Sequence, residues 1–228
     1  MGAAGLAAAS PAQAAAGGED WWLAELRTAC GAAVACLAAA GPDLIAVAGG
    51  AARTAQYQAS AAGSLRSLGI PFTLGSGEPV LPLSLTIGSW LLQRHPRTIS
   101  HASVLLQAVR QSMPTASCLR VGARVAARAP RVALLVMGDG SARRAAGVPG
   151  AADPAAETYD AEAAAALAGA DPGRLARLDP SLDDELMVAG RAAWQVLAGA
   201  AGGCALRGQL RYGAAPLGVG YLVASWEA

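Results

Sequence analysis

The fold class this sequence predicts is a single α/β domain, residues 1–228: a three-layer helix–sheet–helix sandwich around a mostly parallel, mixed central sheet. Three observations predict it. Short apolar runs at residues 43–48, 103–109 and 131–137 alternate with longer stretches of helical period. The chain closes on two alternating segments around Gly213-Ala214-Ala215-Pro216, the pattern of a C-terminal antiparallel hairpin, so the sheet is mixed. The length of 228 residues is enough to bury a core without disulfide or metal staples.

In chain order, residues 2–9 read as a short strand ended by Ser10-Pro11. The apolar opening, 1–18, is read as strand and loop rather than a secretion signal, because it has no positive start and Leu6 is its one large aliphatic residue after Met1. Residues 20–40 predict a helix: Trp22, Leu26, Cys30, Val34 and Leu37 recur at spacings of three and four, and Gly41-Pro42 stops it. Residues 43–48 (DLIAVA) form a buried strand running into Gly49-Gly50, and 70–74 a short one. Residues 82–94 (PLSLTIGSWLLQR) are apolar nearly all round and open with Pro, which suits the first turn of a buried helix. A strand at 103–109 and a helix at 115–129 precede RVALLVM (131–137), the clearest buried strand. An alanine helix (155–169) follows. Asp171-Pro172 and Asp179-Pro180 punctuate the chain before a helical stretch at 182–201, and 206–212 with 218–226 make the hairpin.

Composition bounds the function. Alanine supplies 59 residues, and there is no Lys or Asn. This is the mark of GC-rich coding, so the alanine excess says little about activity. Seventeen basic residues against 16 acidic ones leave a net charge of +1, which excludes a basic nucleic-acid-binding domain. No strongly apolar, uncharged run of membrane-spanning length is present. Cys30, Cys36, Cys118 and Cys204 form no CxxC pair and read as small buried hydrophobes of a reducing compartment, so the expected location is cytoplasmic.

In open α/β sheets, ligands sit beyond the C-terminal ends of the strands. Two loops qualify. After 131–137 come Gly138, Asp139, Gly140, Ser141, Arg143 and Arg144: a tight turn with backbone N–H groups, arginines to hold an anion, and Asp139 and Ser141 as weak catalytic candidates. After 43–48 come Gly49, Gly50 and Arg53. His95 and His101 fall at the opposite edge of the sheet, with no further residues at metal spacing. Tyr159-Asp160 and Asp183-Asp184-Glu185 read as helix N-terminal groups favoured by the dipole. Trp194 sits beside glycine-rich backbone and reads as core packing or a cavity liner.

Five segments occur together and in order: PDLIAVAGGAART (42–54), PLSLTIGSWLL (82–92), APRVALLVMGDGSARR (129–144), AGRAAWQVLAGAAGG (189–203) and YGAAPLGVGYLVASWE (212–227). Together they resemble an actinobacterial branch of the class III extradiol ring-cleavage dioxygenases, the subunit-B-like domain related to Memo proteins. The resemblance implies a site at strand C-termini. Active members hold Fe(II) there through two histidines and a carboxylate, with a further histidine as acid/base. This chain departs at each position. Ala12 follows Ser10-Pro11 where the first histidine belongs, and Gly49-Gly50-Ala51-Ala52 replaces the second. Ala142 replaces the acid/base histidine, and the carboxylate falls near Ala193 or Trp194.

The expectation is therefore a domain without metal or other cofactor. Its pocket, lined by Ser10, Gly49, Gly50, Arg53, Gly138, Asp139, Gly140, Ser141, Arg143 and Trp194, is expected to bind a small anionic or aromatic ligand or a partner. One alternative is an enzyme, either a ring-cleaving dioxygenase with other metal ligands or a metal-free hydrolase using Asp139 and Ser141. Another is a non-catalytic subunit that pairs with itself or a second chain, with helix 82–94 as a possible interface.

Overall fold

The computed structural model describes residues 21–95, 101–144 and 152–228. Helix α1 (Trp21–Ala39) buries Trp22, Leu26, Cys30 and Val34 on one face, the stripe its period predicts. It is also the one described helix long and apolar enough to cross a membrane; here its larger apolar residues pack on strands. The chain then enters β1 (Leu44–Ala51). Asp43 anchors the entry, accepting from the Arg131 backbone N–H and guanidinium at 2.8–3.3 Å.

Short β2 (Ala55–Tyr57) is followed by a small two-stranded ribbon, β3 (Gly63–Ser64) with β4 (Thr73–Leu74). Helix α2 (Leu83–Gln93) starts after Pro82 and buries Leu85, Ile87, Leu91 and Leu92. Next come β5 (Ser103–Arg110), α3 (Thr115–Ala126) and β6 (Val132–Met137). Helix α4 (Pro154–Ala168) is capped by Asp153, whose carboxylate accepts from the Ala155 N–H. Short α5 (Pro172–Ala176) and α6 (Leu182–Glu185) lead to α7 (Arg191–Ala200), then to the hairpin β7 (Arg207–Ala214) and β8 (Tyr221–Glu227).

The main sheet has the order β2-β5-β1-β6. Strands β5, β1 and β6 are parallel, with Val47 opposite Leu106 and Leu135, while β2 pairs antiparallel at the edge. Alternation along β1 sets the layers. Ile45 and Val47 face α1 and α2, whereas Ala46 and Ala48 face α3 and α7. The hairpin lies in the same layer as the sheet, because Tyr221 and Val223 join the α1 side and Leu222, Ala224 and Trp226 the α4 side. The described residues thus form a globular α/β domain with helices on both sides of a mostly parallel mixed sheet.

Three local expectations change. Gly49 and Gly50 continue β1 instead of turning out of it. A Cβ on Gly49 would fall 2.5 Å from Ser84 Oγ, so glycine here serves close packing of α2 on the strand. The stretch 182–201 is two helices, broken around Met187 at φ 54°. Asp160 lies inside α4 and is buried, not placed as a helix-terminal acid. The strand expected at residues 2–9 lies outside the described residues.

Candidate functional site

Beyond the C-terminal ends of β1, β5 and β6 lies a cavity of about 270 Å³. Gln111, the first residue after β5, and Asp139-Gly140, just after β6, supply one wall. Asp183 and Asp184 of α6, with Met187, Val188 and Ala189 of the break that follows, supply the other; Val219 reaches in from the hairpin turn.

The floor is a buried ion-pair network. Arg191 is 1% exposed, so its charge and five donors need partners inside the protein. Its Nε donates to Asp183 Oδ2 at 2.7 Å, and Nη2 to the Gln111 carbonyl at 2.6 Å. Its Nη1 donates to the Met113 carbonyl at 2.9 Å and to Gln195 Oε1 at 2.8 Å. Arg191 thereby ties α7, α6 and the end of β5 together behind the cavity. The other carboxylate oxygen of Asp183, Oδ1, is buried and accepts no hydrogen bond from the described residues. Burial pushes the Asp183 carboxyl above its ordinary range, against the hydrogen bond and charge of Arg191, which pull it down.

The loop after β6 is held by a second buried carboxylate. Asp160 accepts from the Ser141 N–H at 2.8 Å, from Ser141 Oγ at 2.9 Å and from Arg144 at 3.4 Å. The Gly140 N–H donates to the Gly220 carbonyl at 2.8 Å, and the Gly220 N–H returns to Ser141, so the loop is clipped to the start of β8. A Cβ on Gly140 would lie 2.6 Å from Asp160 Oδ1. Asp139 lines the cavity beside Gly140; burial first and the Asp139 charge second push the Tyr221 phenol up to about 12.

A second, larger cavity of about 830 Å³ runs between β6 and β8 and shares Gln111, Asp139 and Ala189 with the first.

The expected site residues therefore separate. Asp139 and Gly140 line the smaller cavity; Gly50, Gly138, Asp139 and Trp194 line the larger. Gly49 packs on Ser84 and lines neither. Ser141 is fully buried and gives its hydroxyl to Asp160, so Asp139 and Ser141 do not share a cavity. Arg53 is exposed, and neither it nor Arg143 lines either cavity. Arg144 is paired with Asp160 and Glu157. Ser10 lies outside the described residues.

Sequence reasoning missed Gln111 and the cavity role of Asp183 and Asp184. Gln111 was within reach of the strand-end rule, since it directly follows a strand. Nothing local marked Asp183, because its partner Arg191 is brought beside it by the break at Met187.

The donor set does not fit the iron of an extradiol dioxygenase. Such a site needs two imidazoles and a carboxylate. Among the described residues the cavity offers only carboxylates and an amide as ligating groups of this kind, and no three His, Cys, Asp or Glu side chains converge on one point. His95 follows α2 and His101 precedes β5, away from the cavity.

No protein-family model matches the chain, and no curated protein matches it either.

Proposed function

We propose that this chain is a cytoplasmic small-molecule-binding domain whose strand-end pocket takes a compound with a cationic ammonium or guanidinium head. The observation that carries this reading is Asp183 Oδ1, buried and without a donor among the described residues, in a cavity it shares with Asp139 and Asp184. An unpaired buried acceptor is costly, and a ligand N–H would satisfy it. Met187, Val188 and Val219 offer an apolar wall for the remainder of a small ligand. An anionic ligand is disfavoured, because among the described residues no arginine lines this cavity and the carboxylates would repel it. Kinship with the extradiol dioxygenase subunit-B fold rests on the five resembling segments, with iron chemistry set aside. The cytoplasmic placement draws on four free thiols, two of them buried.

Calorimetry with 1,4-diaminobutane and an arylalkylamine, against benzoate and catechol, tests the charge preference. The amines are expected to bind. Asp183→Asn should weaken them by about 10–100-fold, the worth of one charge-assisted hydrogen bond. Binding of benzoate but of neither amine overturns the reading. Stoichiometric iron after anaerobic purification with Fe(II) favours the ring-cleavage alternative.

A further inference from the structure

Two buried polar atoms beside the pocket have matching needs. Tyr159, in the second turn of α4, is 4% exposed, and its hydroxyl makes no hydrogen bond among the described residues. Asp183 Oδ1 is in the same condition. A phenol can donate, whereas a carboxylate can only accept. The two side chains share one neighbourhood. Tyr159 packs in a single cluster with Leu186, Val188 and Trp194. Val188 lines the pocket together with Asp183, and its N–H donates to the Asp183 carbonyl at 2.8 Å. Burial first and the Asp183 charge second push the Tyr159 phenol up, while Arg191 pulls it down. The hydroxyl therefore lies within electrostatic reach of the Asp183–Arg191 pair, yet it hydrogen-bonds to neither. Complementary buried groups that stand too far apart to bond directly are the kind that an internal water joins.

We propose that one internal water bridges the Tyr159 hydroxyl to Asp183 Oδ1, which makes Tyr159 the positioning residue of the pocket carboxylate. The phenol donates to the water, and the water donates to Oδ1. Both atoms are then satisfied, and the cost of burying them bare is removed. Oδ1 keeps a second lone pair for a ligand N–H, so the bridge and a bound cation can hold it together.

The charged surroundings show why this donor matters. Arg191 of α7 favours the carboxylate form of Asp183, through its hydrogen bond first and its charge second. Asp184 beside it on α6 and Asp179 just before α6 act against that form, as like charges do. Asp139 lines the same cavity after β6, and Cys118 of α3 lies within range of the Asp183 charge. Arg191 is the one cation in this set, and the bridge supplies a second, neutral donor to the charged form. Because the phenol is pushed up, it stays a donor throughout the range in which a carboxyl titrates. That the held carboxylate serves a cationic ligand rests on the function proposed above; the bridge itself does not.

Tyr159→Phe keeps the ring and removes the hydroxyl. Carbon-13 NMR of the aspartate carboxyls, with the Asp183 signal identified by its loss in Asp183→Asn, follows the protonation of Asp183 across pH. In Tyr159→Phe its midpoint should rise by about one pH unit, or about tenfold in proton affinity, as expected on losing a hydrogen bond to a charged group. A hydroxyl that only fills space leaves the midpoint where it was, so an unmoved midpoint overturns the proposal. If Tyr159→Phe fails to fold, a high-resolution crystal structure of the unaltered chain decides. A water within hydrogen-bond distance of both oxygens is expected there, and its absence overturns the bridge. Calorimetry with 1,4-diaminobutane over the same pH series separates the two readings. Binding should be lost at a higher pH in Tyr159→Phe than in the unaltered chain, in step with the carboxyl midpoint. Amine binding with an unmoved midpoint keeps the pocket and removes the bridge. A raised midpoint without amine binding removes the ligand reading and leaves the bridge standing.

Discussion

Arg191 shows how much one side chain organises here. It is the largest fully buried side chain among the described residues, and it satisfies two backbone carbonyls, Gln195 and Asp183 at once. Breaking a buried pair from one side leaves the other charge uncompensated, which costs about 3–5 kcal/mol. Arg191→Met should therefore lower stability by about that amount in urea unfolding. The double variant with Asp183→Asn should recover part of the loss, since the two sites are coupled. A loss under about 1 kcal/mol would mean that water replaces the guanidinium in the network. At the same scale, the sequence presents Ser141 as a pocket residue of the loop after β6 and Asp160 as a helix N-terminal acid, with nothing to join them. Nineteen residues separate them, and only folding reveals that one clamps the other.

Among the elements, α3 and α7 make the closest approach, and glycine permits it. A Cβ on Gly199 would clash with the backbone of Leu119, and one on Gly122 with the backbone around Val196 and Ala200. Backbone cannot yield as a flexible side chain can, so the helices would have to separate. Gly199→Ala is expected to cost about 1–3 kcal/mol or more despite its better helix propensity, measured by thermal or urea unfolding. The long periodic elements were legible in the sequence: α1, β1, α2, β5, α3 and β6 fall within a few residues of their expected bounds. Legibility failed where tertiary contact overrode a local signal. Gly49-Gly50 has turn chemistry but packs flat under Ser84. The stretch 182–201 has helical composition but breaks so that Arg191 can reach Asp183.

For the whole molecule, the carboxylates set a pH dependence of mixed sign. Arg131 beside Asp43, through hydrogen bonds first, and the Ser181 N–H beside Asp179 hold those two carboxyls below their ordinary range. Their stabilisation is present above the ordinary aspartate value and is lost as pH falls through the lowered ones. Asp183 is raised, so its contribution runs the other way. It is full below the ordinary value of about 3.9 and is lost as pH rises through the raised value. Relative to the unaltered protein, Asp183→Asn should therefore gain stability across that interval, which urea midpoints over a pH series will show. Cation binding in the pocket should follow ionisation of Asp183 and disappear as pH falls below it.

By itself the sequence determined the class of fold, because hydrophobic period and turn chemistry are local properties that survive reading one residue at a time. It also placed Asp139 at the end of a sheet strand, where such folds bind ligands. The tertiary structure alone decided which charges face the pocket. Arg144 and Arg191 are paired with Asp160 and Asp183, and Arg53 and Arg143 line neither cavity, so the charged groups that the described residues bring to the smaller cavity are acidic. The physical reason is that a charge acts through what lies within a few ångströms of it, and the partners of these side chains come from distant parts of the chain.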